Sequence, residues 1–391
     1  MKRQDCGYSM SFTDVEAIPQ RLGPVQFPHE ASSGCRTSGP DTIMPSGFGS
    51  HATQLLAKRI SAILSREQLF GRTKRLKEPV PRGTGALRRR MLDADRAMID
   101  RFADPFRPLE PECRVIQFAH PLAPSQLRRA GELIADRPDV ELYVYGKASR
   151  DLGFLRYFET VRRLHLALYE LDDLSGFSYL QGGLRELVFG RTKKRFSLRF
   201  VETLPRLAGL FLVGHKNDFS SIRTLNELTN LGLSGITLPD LSVLLPLTGL
   251  RKLSVLLGGT TNLALLPRLT DLEDLFFMRI TKLRDLRVLG DLPRLTTLRL
   301  DWMRNVTSLP SLAGLARLDK VELDTMKGLT DLSPLAAAPA LRRLSVSAMP
   351  QLTAESFRCF VGHPRLEELR VYTGRRGVNE QVKAVFPLIA R

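Results

Sequence analysis

Residues 295–346 read LTTLRLDWMRNVTSLPSLAGLARLDKVELDTMKGLTDLSPLAAAPALRRLSV, and within them one pattern recurs as LTTLRL, LDKVEL and LRRLSV. Each copy opens on a leucine, sets apolar residues at its fourth and sixth positions, and continues with leucines three apart. Side chains two apart share one side of an extended strand, whereas a spacing of three suits a 3₁₀ turn. The unit is therefore a short strand followed by a loose return to the next strand. One unit cannot bury its own leucines, but stacked units fuse them into a single core.

Outward from this stretch the same frame starts at Val161, Leu184, Leu207, Leu228, Leu250 and Leu272 on one side and at Leu366 on the other. Neighbouring starts lie 21 to 25 residues apart, and Leu142 and Val144 take the fourth and sixth places of one further copy. Self-similarity at this period predicts an α/β solenoid over residues 139–372: a curved ladder of short parallel strands with irregular, 3₁₀ or helical returns. Its ends need covers, because a terminal repeat otherwise shows its leucines to water. RVIQFA (114–119) reads as a strand and SQLRRAGELIADRP (125–138) as a helix stopped by Pro138, which makes 113–138 an N-terminal cap. Val378, Val382, Val385 and Phe386 recur at helical spacing and predict a cap helix within 373–391.

Residues 300–318 (LDWMRNVTSLPSLAGLARL) and 323–344 (LDTMKGLTDLSPLAAAPALRRL) resemble the leucine-rich repeats of the short class, about 22 to 23 residues long, of bacterial internalin-like proteins and phosphatase regulatory subunits. The resemblance covers about residues 140–372 and implies a concave face used for protein recognition. It also raises the reading of a bacterial effector acting in a host cell. The asparagine that many such repeats carry after the strand is present as Asn305 but replaced by Gly328 in the next unit, so less regular turns are expected.

In LxxLxL the leucines point inward, so the residues between and after them face outward on the concave side. Read in columns, this parity brings forward Tyr143 and Tyr145, an apolar set of Phe211, Val213, Leu256, Phe276 and Met278, and a charged set of Arg299, Asp301, Glu322 and Asp324 beside Lys320. Adjacent strands lie about 4.8 Å apart, which brings column neighbours into contact. Contiguous apolar groups at solvent-facing positions point to a partner protein. The mixed charges are expected to pair across strands and satisfy one another.

Upstream of the ladder the chain changes character. Residues 1–52 are polar and expected to be disordered, and 53–112 read as basic amphipathic helices and linker. Leu56, Ile60, Ile63 and Leu64 share one face of a helix over 53–70, with Lys58, Arg59 and Arg66 elsewhere on it; a second helix is expected from Leu87 to Phe102. Segment 58–90 is the most basic of a chain with a net charge of +17, so docking on nucleic acid or anionic membrane through it is the alternative to protein recognition.

Constellations for chemistry are missing. No two of the six histidines stand at the i, i+4 spacing of a helical zinc site, and PSGFGS and PRGTGA lack the lysine of a phosphate loop. The four cysteines are scattered, and Cys359 is expected to be buried within its repeat. The expectation is a non-enzymatic scaffold or adaptor with no cofactor and no metal. Without an apolar leader or a run of about 18 apolar residues, a cytoplasmic location is expected, with signal-independent secretion left open.

Overall fold

The computed structural model describes residues 96–99 and 109–390, the first three of these by backbone alone. Its strands form one sheet of 13 members in which every strand pairs in parallel with its sequence neighbours. They are β1 (Arg96–Met98), β2 (Val115–Phe118), β3 (Glu141–Tyr145), β4 (Arg163–Ala167), β5 (Glu186–Phe189), β6 (Gly209–Val213) and β7 (Asn230–Ser234). The ladder continues with β8 (Lys252–Leu256), β9 (Asp274–Met278), β10 (Thr297–Asp301), β11 (Lys320–Asp324), β12 (Arg343–Ser347) and β13 (Glu368–Tyr372). Most returns are 3₁₀ segments, and one is a single helical turn, α2 (Ser333–Ala336). A return this tight lets about 22 residues complete a full turn of the solenoid.

Register carries the sequence period into space. Leu298 stands opposite Val321, and Val321 opposite Leu344, so equivalent apolar residues stack in rows. Those rows, together with the leucines of the returns, form one continuous core that runs from Ile99 to Phe386. After β3 and after each strand from β6 to β12 the backbone turns through the left-handed region. Gly214 and Gly235 take it in the middle of the ladder, but Leu257, Arg279, Trp302, Thr325 and Ala348 take it with φ of 49 to 55°. The turn aims the next side chain inward, and Ile236, Ile280, Met303, Met326 and Met349 are all buried. Each turn is held from the following repeat: the Arg279 N–H donates to Asp301 O at 2.9 Å and the Trp302 N–H to Asp324 O at 3.0 Å. Gly328 answers the departure at the asparagine position, since a Cβ there would meet the Val306 carbonyl oxygen at 2.9 Å.

At one end, α1 (Pro124–Ile134) begins on a proline at its first turn and buries Leu127, Ala130 and Ile134 against the ladder. At the other, α3 (Arg376–Val385) buries Val378 and Val382, while Val385 is exposed. Two expectations need correction. The helix expected from Leu87 to Phe102 is a strand at Arg96–Met98, because the open edge of β2 claims its backbone and the Ile99 N–H reaches Gln117 O at 3.0 Å; the remainder of that candidate, residue 99 apart, lies outside the described residues. Cys359 is exposed, because its 3₁₀ return turns Phe357 and Phe360 inward instead. No helix among the described residues is long and apolar enough to cross a membrane.

Candidate functional site

Along β3 to β13 the second and fourth residues of each strand enter the core, and the first, third and fifth stand on the opposite, open face of the sheet. The singled-out side chains all belong to this face, in three groups.

The first is aromatic. Tyr143 and Tyr145 stack at 4.7 Å, and Tyr143 also stacks on His165 of β4 at 4.2 Å. The second is apolar. Phe211, Leu256, Phe276 and Met278 join Val188 in a cluster separate from the solenoid core, with Val213 and Leu257 packed against it. Phe211 lies flat along the sheet: a Cβ on Gly232 would fall 1.9 Å from its ring. The expectation that these groups face solvent is therefore corrected. Leu256 is 0% exposed, Phe211 3%, Met278 6% and Phe276 8%. Val188 stands beside Phe211 in the same outward column but was not grouped with the apolar set, and Leu257, just past β8, is an addition that the columns do not reach; the small Gly232 beside Phe211 was the available signal for close packing.

The third group is charged, and it does not form the self-satisfied network expected. Arg299 turns away from Asp301 and bonds Asp274 of β9 at 2.9 Å, with its guanidinium also 4.8 Å over the Phe276 ring. Lys320 pairs with Glu322 on its own strand at 2.5 Å. Asp301 and Asp324 are left side by side in register. Burial, together with the neighbouring Asp324 charge, pushes Asp301 up to about 8, against the pull of Arg279. Burial likewise raises Asp324, which the Thr325 hydroxyl partly offsets by donating a hydrogen bond to it. Among the described residues Asp301 Oδ1 has no hydrogen-bond partner. With one oxygen left unpartnered, the pair keeps an acceptor for a hydrogen-bond-donating group. No three His, Cys, Asp or Glu among the described residues are placed to hold a metal ion.

Strands set by an LxxLxL frame, leucines stacked in register, tight returns and a left-handed turn closing most strands now stand together. The chain folds as a leucine-rich-repeat solenoid. No protein-family model and no curated protein matches it. Among solved structures, it is similar to an internalin of Listeria monocytogenes, at 16% identity and a TM-score of 0.46, over 81% of this chain and 88% of that one. A leucine-rich-repeat protein of Leptospira interrogans matches at 14% identity and a TM-score of 0.45, over 81% of this chain and 100% of that one. The Toll–Spätzle complex of Drosophila matches at 17% identity and a TM-score of 0.45, over 71% of this chain and 39% of that one. Within this leucine-rich-repeat solenoid the open face of β5 to β11 is the candidate site.

Proposed function

We propose that the chain is a non-enzymatic scaffold or adaptor whose open sheet face recognises a partner protein. The observation that carries this reading is the second apolar cluster. Val188, Phe211, Leu256, Phe276 and Met278 lie on the opposite side of the sheet from the solenoid core, so closing the solenoid does not require them. The partly buried Val213 and Leu257 at the rim of this cluster, backed by its buried aromatic and aliphatic groups, suit an anchor for another surface. The ladder fixes their positions from both sides by register, which lowers the ordering cost of association. Asp301 and Asp324 stand in register beside the cluster, and the free oxygen of Asp301 adds an acceptor for a partner that donates a hydrogen bond there.

The test is affinity capture with the full chain as bait, in low and high salt, beside Val213→Arg, which places charge at the rim of the cluster. A protein retained in high salt and lost from Val213→Arg, with the variant's circular dichroism unchanged, supports recognition by the open face. Equal capture by both baits removes that face from the function. Capture that vanishes at high salt transfers the function to the basic segment 58–90, which lies outside the described residues.

A further inference from the structure

The two edges of the ladder hold their cations differently. Where strands begin, arginines are taken up by acids of neighbouring repeats: Arg185 pairs with Glu227, Arg251 with Glu273, Arg294 with Asp271 and Arg342 with Glu367. Where strands end, Lys147, Arg191, Lys193 and Lys216 stand exposed in the turns after β3, β5 and β6, and none makes an ion pair among the described residues. Further along, the exposed Arg279, Lys282, Arg304 and Lys327 of the turns after β9, β10 and β11 are likewise unpaired. Acids on this edge do not neutralise the row, because they are held locally. Asp172 pairs with Arg150, Asp173 accepts from the Ser175 hydroxyl and Asp285 pairs with Arg287. A row of uncompensated cations concentrates anions along it.

Aromatic rings are set into both ends of the row. Tyr169, 38% exposed, lies in the turn after β4 between the basic turns of β3 and β5, and its carbonyl accepts the Lys193 N–H at 2.7 Å. Trp302 opens the turn after β10, with the Arg279 guanidinium 4.8 Å and the Arg304 guanidinium 5.6 Å from its ring. The ring holds both guanidiniums by cation–π contact and leaves their N–H groups for a further acceptor, a geometry that suits phosphate oxygens. Along the turns after β3 to β11, Tyr169 is the one large apolar side chain so exposed among the described residues. This edge therefore lacks the apolar centre of a protein interface and the apolar face that enters a bilayer. Phosphate charge joined to flat, stackable rings is the chemistry that fits it.

We propose that the strand-end edge of the ladder binds single-stranded nucleic acid, with phosphates along the basic turns, a base stacked on Tyr169, and Trp302 positioning Arg279 and Arg304 toward the backbone. From β4 to β10 is six strand spacings, about 29 Å. One strand of several nucleotides covers that length, within the span of about 4 to 16 typical of single-strand sites. Residues 235–240 and 257–263, in the turns after β7 and β8, contain no basic residue, so the contacts fall at two places with a bare stretch between them. The edge is distinct from the open face, and the inference does not depend on the partner reading.

Fluorescence anisotropy of a labelled oligo(dT) longer than that span, titrated with the full-length chain from low to high salt, tests it. The variant carrying Arg191→Gln, Lys193→Gln, Arg279→Gln and Arg304→Gln is expected to bind at least about tenfold more weakly at low salt and to lose about 3 from the salt slope. Tyr169→Ala is expected to weaken binding about tenfold at an unchanged slope, because a stacked base releases no counterion. Trp302→Leu should lower the slope, and Trp302→Phe, which keeps a ring under the guanidiniums, should restore it. Circular dichroism checks each fold. A second variant, Arg72→Gln, Lys74→Gln, Arg75→Gln and Lys77→Gln, leaves the edge intact and is expected to keep the Tyr169 dependence. No binding by the natural chain overturns the inference, as does binding lost only from the second variant. Equal affinity for inorganic polyphosphate also overturns it, as does binding to phosphatidylserine vesicles but not to oligo(dT).

Discussion

His215 occupies a place that most other repeats give to a large apolar side chain. It follows the left-handed Gly214 as Ile236 follows Gly235 and Met303 follows Trp302, and it is 4% exposed. Its ring stacks on Phe189 at 4.3 Å, and Nε2 lies 2.9 Å from Gly190 O. Burial holds its pKa below the ordinary 6.5, with the bond to Gly190 pulling the other way. The unfolded chain therefore binds a proton more readily, and the stability the neutral ring contributes is complete above about 6.5 and lost as the pH falls toward the folded value. We expect the natural chain to lose stability at this site between pH 7.5 and about pH 5.5, and His215→Met to remove that dependence in urea melts at the two pH values. Gly131 makes a steric prediction. A Cβ there would lie 1.8 Å from the carbonyl oxygen of Tyr157, so α1 cannot keep its seat on the first return. Gly131→Ala is expected to destabilise the chain by about 2 kcal/mol, read as a lower urea midpoint. Single residues were also where the sequence was least legible. Mixed charges on β10 and β11 suggested pairing between those two strands, but Asp274 of β9 takes the Arg299 guanidinium and Lys320 pairs with Glu322 on its own strand. That choice depends on side-chain geometry, which column parity does not contain.

Among elements, the strands were legible because each rests on a local pattern of period two reinforced by ten or more copies. The turns were not. Nothing in Leu257, Arg279, Trp302, Thr325 or Ala348 signals a left-handed backbone, a conformation that costs an L-residue roughly 1 kcal/mol or more. They adopt it because the stacked repeats on both sides dictate where the chain must turn. Ala348→Gly is expected to relieve that strain at little loss of packing and to stabilise the fold by about 0.5 to 1 kcal/mol, seen as a higher urea midpoint at unchanged slope. The same logic explains β1. Residues 87–102 carry a helical spacing, but the stretch Arg96–Met98 answers to the free edge of β2, a contact that no short window of sequence reveals.

For the whole molecule, contacts run between neighbouring repeats and a single core threads them all, so stability is close to a sum of units and interfaces. Damage should then stay local. Val382→Ser in α3 removes a fully buried contact from the end of the ladder. Hydrogen exchange is expected to accelerate in β13 and β12 while β3 to β5 keep their protection; uniform acceleration would show a more cooperative molecule than this one-dimensional picture allows. The period of the sequence made the solenoid legible as a whole, and column parity located its open face. How deeply that face is buried was not legible, because parity gives direction but not what lies above.

The left-handed turns also give the ladder a direction in time. From β6 to β12 the turn after each strand donates its N–H to a carbonyl of the following strand, as Leu257 does to Met278, Thr325 to Ser347 and Ala348 to Tyr372. A repeat emerging from the ribosome thus has its closing turn unsecured until the next one, about 22 residues later, has arrived to accept that bond. Growth of the nascent chain should proceed as a front that always trails synthesis by one unit.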